Sequence, residues 1–181
     1  MTADEGGKIF LRPLDESDAA ALFEAVASSR SRLKRRMAWV GSIRSEGDCR
    51  EFIRSSFARN RDRAALVEGI FERRTRNLAG VAALTRMSVA DGRAKMSLWI
   101  RQERVGMGLA VDAGRRILKT AFLKEGLQRV YARIEPSNRA ARRILQKLGF
   151  NYEGCLRREK KLNGRWVDQE CWGLLKSELK K

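Results

Sequence analysis

The chain contains no histidine, and that absence excludes several kinds of active site. A Ser-His-Asp triad, a Cys-His pair and almost every histidine-containing zinc site require an imidazole ring. The three cysteines, Cys49, Cys155 and Cys171, lie far apart and lack CxxC spacing, which argues against a disulfide framework and a zinc site. We therefore expect no metal site, and this cysteine usage favours a reducing cytoplasm as the location.

Long apolar runs and flexible linkers are also missing. A transmembrane helix needs about 20 mostly apolar residues, and no stretch of the chain approaches this length, so no membrane partner is expected. The acidic, polar start MTADEGGKIF does not resemble a signal peptide. Since no repeat or Pro/Gly/Ser-rich linker divides the 181 residues, we predict a single domain over residues 1–181.

Acidic residues are outnumbered by basic ones, at 22 Asp and Glu against 39 Lys and Arg, which gives a formal net charge of +17. The basic residues cluster at residues 30–36, 59–63, 73–76 and 157–161. Such a surface attracts polyanions, so association with RNA or a ribosome is one interpretation. The other is a solvated surface without a dedicated partner, because the clusters are dispersed and lack interleaved aromatic residues.

The spacing of apolar residues predicts seven strands and four helices. Strands are expected at residues 8–14, 64–72, 77–88, 94–102 and 127–136, followed by a hairpin within residues 151–176 that turns at Asn163-Gly164. Helices are expected at residues 15–29, from a cap at Ser45 or Asp48, after Gly108, and at residues 137–149. The order βααβββαβαββ indicates an α/β fold with a mixed, mostly antiparallel sheet flanked by helices.

Two glycines stand at the start of the third helix, in the stretch VGMGLAVDAGRRILKTAF at residues 105–122. The first turn of a helix has backbone N–H groups without intrahelical partners, and the helix dipole favours an anion there. Gly106 and Gly108 would let phosphates approach the main chain. The alternative is that these glycines only allow close packing at the start of the helix.

Four stretches, in this order, resemble the GNAT superfamily of acyl-CoA-dependent N-acyltransferases. They are IFLRPL, Trp39 followed by SEGDCREFI, AKMSLWIRQERVGMGLA, and NRAARRILQKLGFNYEGCLRREKKLNGRWVD. The likeness is greatest to the RimJ/RimL type, which includes N-terminal acetyltransferases of ribosomal proteins, and it extends from about Lys8 to Leu175. The resemblance implies a GNAT fold, acetyl-CoA as the acetyl donor with CoA as product, and an amine acceptor.

The resemblance also assigns the glycine stretch. In this family a Q/R-x-x-G-x-G/A loop wraps the CoA pyrophosphate, and here the pattern begins at Glu103, where Gln or Arg is usual. A carboxylate beside a pyrophosphate is unfavourable unless it points away or nearby arginines compensate. The residues expected to bind CoA at this loop are Arg101, Arg104, Val105, Gly106, Met107, Gly108 and Leu109.

The strand MSLWI matches the family strand that separates from its neighbour and pairs with the pantetheine arm. By position, the backbone of Leu98, Trp99 and Ile100 would supply these contacts, and Leu98 would direct an N–H at the thioester carbonyl as an oxyanion hole. Asn138 matches the family asparagine that bonds the pantetheine arm. Its other interpretation is helix capping, and the two roles are compatible.

Proton transfer is less clearly assigned, because the amine must lose a proton to a base or to water. Lys95, Ala141 and Leu145 stand where relatives place a catalytic glutamate, serine or tyrosine. The carboxylates expected near the cleft are Glu68, Glu135, Glu159 and Asp168. Of these, Glu159 and Glu135 are the candidate bases, against the alternative of ordinary surface or hairpin charges.

The resemblance implies that Trp39 and Trp166, which lie in loop or hairpin regions, border the acceptor site. Cys155 is expected to be a small core residue. The basic hairpin cluster at residues 157–161 is predicted to govern capture of an acidic or phosphate-bearing acceptor. The sequence thus favours an acetyl-CoA-dependent N-acetyltransferase, as a monomer or homodimer, that acts on a protein N-terminus or a small aminoacyl or amine compound. The alternative is a GNAT-fold acyl-CoA- or RNA-binding module with little or no turnover.

Overall fold

A seven-stranded sheet with the order β1-β2-β3-β4-β5-β7-β6 forms the centre of the computed structural model, which describes residues 7–179. The strands are β1 Ile9–Pro13, β2 Leu66–Glu72, β3 Leu78–Ser88, β4 Arg93–Ile100, β5 Arg129–Ile134, β6 Asn151–Leu162 and β7 Arg165–Leu175. The helices are α1 Ala19–Lys34, α2 Glu46–Arg61, α3 Leu109–Lys119 and α4 Arg139–Lys147. All neighbouring strands are antiparallel except β4 and β5, which confirms the predicted α/β order. The start MTADEGGKIF, in which the sequence predicts no signal peptide, lies mostly outside the described residues.

Local sequence signals account for several helix and turn boundaries. Ser45 and Asp48 cap α2 together, because the serine side chain accepts from the Asp48 N–H and the aspartate accepts from the Ser45 N–H. The predicted hairpin turn is confirmed at Asn163 and Gly164, whose φ angles of 48° and 81° are both left-handed. Helix α1 begins and ends later than predicted, and Leu33 continues its apolar face into the core.

The two faces of the sheet carry separate cores. Helices α3 and α4 cover one face, where Ala113, Ile117 and Ala121, which recur at helical spacing, are fully buried and Ala110 is partly buried. Helices α1 and α2 cover the other face over β1 to β4 only, since the core there includes no residue of β5, β6 or β7 within the described chain. That arrangement leaves the second face of β5 and β7 without a helix above it.

Two features of the fold differ from simple expectation. The third helix continues as a π-helical turn at Thr120–Lys124, for which the sequence shows no evident signal. Cys155 is exposed on β6, so its predicted place in the core is wrong.

In the part of the chain that the structure describes, no helix has the length and apolar character needed to cross a bilayer.

Candidate active site

The sheet splits between its two parallel strands. Residues 93–95 of β4 pair with residues 129–131 of β5, and no pairing between the two strands follows further along. Residues 132–134 of β5 continue to pair with β7 on their other side. The result is a wedge-shaped opening that begins after Lys95 and Tyr131, with unpaired backbone on both of its edges.

The backbone of β4 alternates between this opening and β3. The Arg101 N–H donates to the Ala79 carbonyl at 2.7 Å, and Trp99 stands opposite Val81 in the same register. Odd-numbered residues of β4 therefore exchange hydrogen bonds with β3. It follows that Leu98 directs its N–H and carbonyl groups into the opening, as the oxyanion-hole assignment requires.

Ile100 also lies on the edge of the opening, but its carbonyl already has a partner. It accepts from the Nη2 of Arg32, whose Nε donates to the Gln102 side chain at 2.8 Å. The arginine reaches this position from α1 and is partly buried, and that burial lowers its pKa below the usual value. Sequence reasoning gave no sign of this contact, because the two residues are far apart along the chain.

The loop before α3 presents a row of free backbone donors. Gly106 and Gly108 have φ angles of 88° and 80°, and an added Cβ at either position would meet no atom within 4 Å. Close packing therefore does not explain these glycines, whereas the left-handed backbone does. Within the described chain, the N–H groups of the five residues 106–110 have no hydrogen-bond partner. Half-exposed Val105 and Met107 alternate with the glycines.

Charged side chains beside this loop are already paired within the protein. Arg101 contacts Glu24 at 2.9 Å and Glu103 at 3.0 Å, while Arg104 contacts Glu72 at 2.9 Å. The pKa of Glu103 is lowered, first by a hydrogen bond from its own backbone and then by Arg101. The unusual carboxylate at position 103 thus has partners of its own, and the donors left for an anion are mainly backbone groups.

Asn138 caps α4, as one of its two interpretations predicted. Its side-chain oxygen accepts from the Ala141 N–H at 3.2 Å, while its Nδ2 makes no hydrogen bond in the described part of the chain. The start of α4 is fixed to β7 by Arg142, which binds the buried Glu170 carboxylate and donates to the Pro136 carbonyl at 3.0 Å. The free amide is therefore held at the mouth of the opening, where β5 ends.

The candidate bases occupy different positions. Glu135 follows β5 and contacts Arg36 at 3.3 Å, and Glu159 lies on a bulge of β6 in an ion pair with Arg133. Glu68 lies on the sheet face covered by α3, two strands from β4, where burial raises its pKa and its Oε2 has no hydrogen-bond partner. The expectation that Glu68 lies near the cleft is therefore wrong.

The two tryptophans expected at the acceptor site also differ in environment. Trp39 is partly buried, stacks on Phe52 with ring centroids 5.5 Å apart, and lies 6.3 Å from Trp99. Trp166 is 59% exposed near the hairpin turn. The first therefore packs in the α1–α2 core, whereas the second is free to contact a ligand.

In the sequence, Lys95 stands out only because relatives often have a glutamate at this position. In the structure it lies where the opening begins. Its side chain is half-buried, and no carboxylate of the described residues pairs with it. Burial lowers its pKa first, followed by the nearby cations Arg86, Lys160 and Arg133. A group of positive charges thus surrounds the narrow end of the opening.

Comparison with known proteins agrees with this geometry. A family model for the acetyltransferase (GNAT) domain matches residues 8–151. The uncharacterized N-acetyltransferase YoaA of Bacillus subtilis (strain 168) is 25% identical over 95% of this chain and 96% of its own length. The uncharacterized N-acetyltransferase p20 of Bacillus licheniformis is 29% identical over 60% of this chain and 61% of its own length.

A solved structure shares the fold over nearly the whole chain. It is RimL, a ribosomal L7/L12 alpha-N-protein acetyltransferase in complex with coenzyme A, with a TM-score of 0.89 and 19% identity over 94% of this chain and 95% of that chain. Because the family model covers most of the sequence, the chain belongs to the GNAT family of acetyltransferases. The predicted family, GNAT fold and enzyme class are thereby confirmed.

Proposed function

We propose that this acetyltransferase moves an acetyl group from acetyl-CoA to a primary amine, with direct attack of the amine in a ternary complex and release of CoA. The observation that carries the proposal is the row of five free N–H groups at residues 106–110, beside a sheet that opens between β4 and β5. One feature suits a pyrophosphate and the other suits an extended pantetheine arm. The RimL structure named above contains coenzyme A, which supports the same assignment.

The residues present fit this coenzyme. The open space above Gly106 and Gly108 is where phosphates would approach the main chain, with Val105, Met107 and Leu109 completing the loop. The negative charge of the pyrophosphate would be stabilised mainly by the helix dipole and the N–H groups, because Arg101 and Arg104 also pair with carboxylates. The backbone of Leu98, the N–H of Ile100 and the free Nδ2 of Asn138 would hold the pantetheine arm. The expected contribution of the Trp99 backbone is wrong, because that backbone bonds to β3, and the Ile100 carbonyl already accepts from Arg32.

Acetyl-CoA supplies the thioester carbonyl that is attacked and the thiolate that leaves. The Leu98 N–H would stabilise negative charge on the carbonyl oxygen, which is an oxyanion-hole effect. Glu135 or Glu159 would take the proton of the amine, directly or through water, once its arginine partner yields part of the contact. Holding the two reactants together contributes much of the rate in any case.

The acceptor is proposed to be a protein N-terminus or a small aminoacyl or amine compound, with Trp166 and Trp39 near its site. Transfer is tested by following thiol release from acetyl-CoA with a panel of amines and N-terminal peptides. Thermal melts with CoA test binding separately. Release with some acceptor and an upward shift with CoA support the proposal, whereas CoA binding without release from any acceptor would favour the binding-module alternative. No shift at millimolar CoA would contradict the coenzyme assignment.

Association with RNA or a ribosome through the basic surface, a cytoplasmic location and a monomer or homodimer state remain part of this proposal. A polyanion partner would release counterions on binding, so its affinity should fall steeply with salt. Electrophoretic mobility shifts with RNA at two salt concentrations test the first point. Sedimentation of the protein alone tests its oligomeric state.

A further inference from the structure

Four cations from four different strands lie close together at the narrow end of the opening. Ala94, Met96 and Ile100 belong to the core beneath α3 and α4, so the alternate residue Lys95 points to the opposite face. The same alternation on β5 places Tyr131 and Arg133 on that face, since Val130 and Ala132 are in the core. This is the part of the sheet that no helix of the described chain covers.

Lys95 is the centre of this group, which we call the apex cluster and which consists of Arg86, Lys95, Arg133 and Lys160. Lys95 stands opposite Tyr131 in the last parallel pair before the strands separate. Arg133 lies with its guanidinium carbon 6.0 Å from the centre of the Tyr131 ring. Lys160 reaches over from β6, where its Nζ donates to the Arg36 carbonyl at 3.4 Å.

The apex cluster has far more positive than negative charge. Glu159 pairs with Arg133, and Asp168 of β7 accepts from the backbone of Arg158. Within the described chain, no carboxylate pairs with Lys95, and the neighbouring cations lower its pKa further than burial alone would. Partly burying an ammonium group among like charges costs free energy, and a bound anion would offset that cost.

The coenzyme phosphates are not the anion that this cluster would bind. The free N–H groups for them begin at residue 106, beyond the far end of β4, and residues 95 and 100 alone are about 17 Å apart along an extended strand. The apex cluster instead lies at the narrow end of the opening, beside the sheet face that no helix of the described chain covers. An anion held there would belong to the acceptor.

We propose that the apex cluster binds a carboxylate or phosphate group of a small amine acceptor, and so selects acceptors that carry an anion near the amine. The inference rests on the proposed acetyl transfer, because it assigns the substrate of the same site. Lys95 is the central binding group, Arg133 and Lys160 form its sides, and Arg86 adds charge from β3. The surrounding arginines raise the local concentration of such an acceptor.

Matched acceptors that differ only in the anion test the selection. O-phosphoethanolamine is compared with ethanolamine, and glycylglycine with glycylglycinamide, as kcat/KM at saturating acetyl-CoA. The wild type should prefer the anionic member of at least one pair by about tenfold or more, as a charge-assisted hydrogen bond provides. A preference for the anionic member in the first pair alone identifies phosphate as the group that is bound. A preference in the second pair alone identifies a carboxylate. Equal values within both pairs would overturn the inference.

Two variants locate the effect. Lys95→Met should bring the preference close to one, while Lys119→Met, an exposed lysine in the last turn of α3, should leave it unchanged. If Lys95→Met lowers kcat equally for both members of a pair, the residue acts in the chemistry and the proposed selection is wrong. If the preference survives Lys95→Met, the anion binds elsewhere.

A binding measurement keeps the two proposals apart. Inorganic phosphate is titrated by calorimetry into protein saturated with CoA, or into free protein if CoA does not bind. If the wild type and Lys119→Met bind phosphate and Lys95→Met does not, the result supports anion binding by the apex cluster, even if no acceptor is acetylated. Phosphate binding that is equal in all three proteins would contradict it. Failure of CoA to shift the melting temperature contradicts the proposed function and leaves this measurement interpretable.

Discussion

Replacing Gly108 by alanine should separate the conformational role of this glycine from its role in binding. Its φ of 80° is unfavourable for alanine by about 1–2 kcal/mol, and the open space around it adds no steric cost. For a chain of this size each kcal/mol lowers the melting temperature by roughly 2–4 °C. We therefore expect the free Gly108→Ala protein to melt roughly 2–8 °C below the wild type.

The effect of Gly108→Ala on CoA affinity is separate from its effect on stability. A ligand at 100 times its dissociation constant stabilises the native state by about 2.7 kcal/mol. A methyl group among the five free N–H groups would keep phosphates from the backbone, and a tenfold loss of affinity would reduce this to about 1.4 kcal/mol at the same concentration. Gly106→Glu adds a negative charge at the same site and should abolish the CoA-induced shift in thermal melts.

Gly126 provides the matched control. It has a φ of 72° and the same open space, and it lies beyond the opposite end of the helix, about 24 Å along the axis. Gly126→Ala should lose similar stability and keep the full CoA-induced shift. If Gly108→Ala also keeps the full shift, the loop does not bind the pyrophosphate and the reasoning from its N–H groups is refuted.

Three further changes have definite expected results. Burial raises the pKa of Glu68, so its contribution to stability is present in acid and is lost as pH rises through that pKa. Glu68→Gln should therefore melt above the wild type at pH 8, with the gap closing near pH 4; a gap that widens in acid would contradict this sign. If Glu135 or Glu159 accepts the proton, its glutamine variant should lower kcat, change the acid limb of the pH–rate profile and leave CoA affinity unchanged. Arg142→Met should lower the urea concentration at the unfolding midpoint, because it leaves the buried Glu170 carboxylate with fewer partners.

The order of elements was predictable because each has a local cause. Turn residues, caps and the apolar face of α3 are all encoded within a few neighbouring positions, as the Ser45 cap and the Asn163-Gly164 turn illustrate. The loop glycines were predictable for the same reason, since their left-handed angles and the free N–H groups belong to one short segment. The opening of the sheet after Lys95 was foreseen only from the family resemblance, because strand separation depends on distant residues.

The pairing of charged groups could not be predicted from the sequence. Glu135 meets Arg36 across 99 positions and Glu159 meets Arg133 across 26, so neither contact leaves a local pattern. Glu68 looked like a cleft carboxylate, yet strand alternation turns it beneath α3, where burial rather than catalysis explains its raised pKa. The positions of Glu68 and Glu159 depend on the sheet, and Glu135 meets a residue beyond the end of α1; a single sequence specifies neither strand register nor such distant contacts.

The basic hairpin shows why adjacent charges along the chain need not act together. Arg157, Arg158 and Lys161 are exposed to solvent, and a bulge in β6 interrupts the strand between them. Lys160 alone of this run is partly buried and reaches toward the end of α1. The charges that converge at the opening come instead from β3, β4, β5 and β6, so acceptor capture is better assigned to that assembled group around Lys95 than to the continuous run. An exposed run mainly adds to the long-range field, whereas a partly buried ammonium without a carboxylate can bind one anion at a defined place.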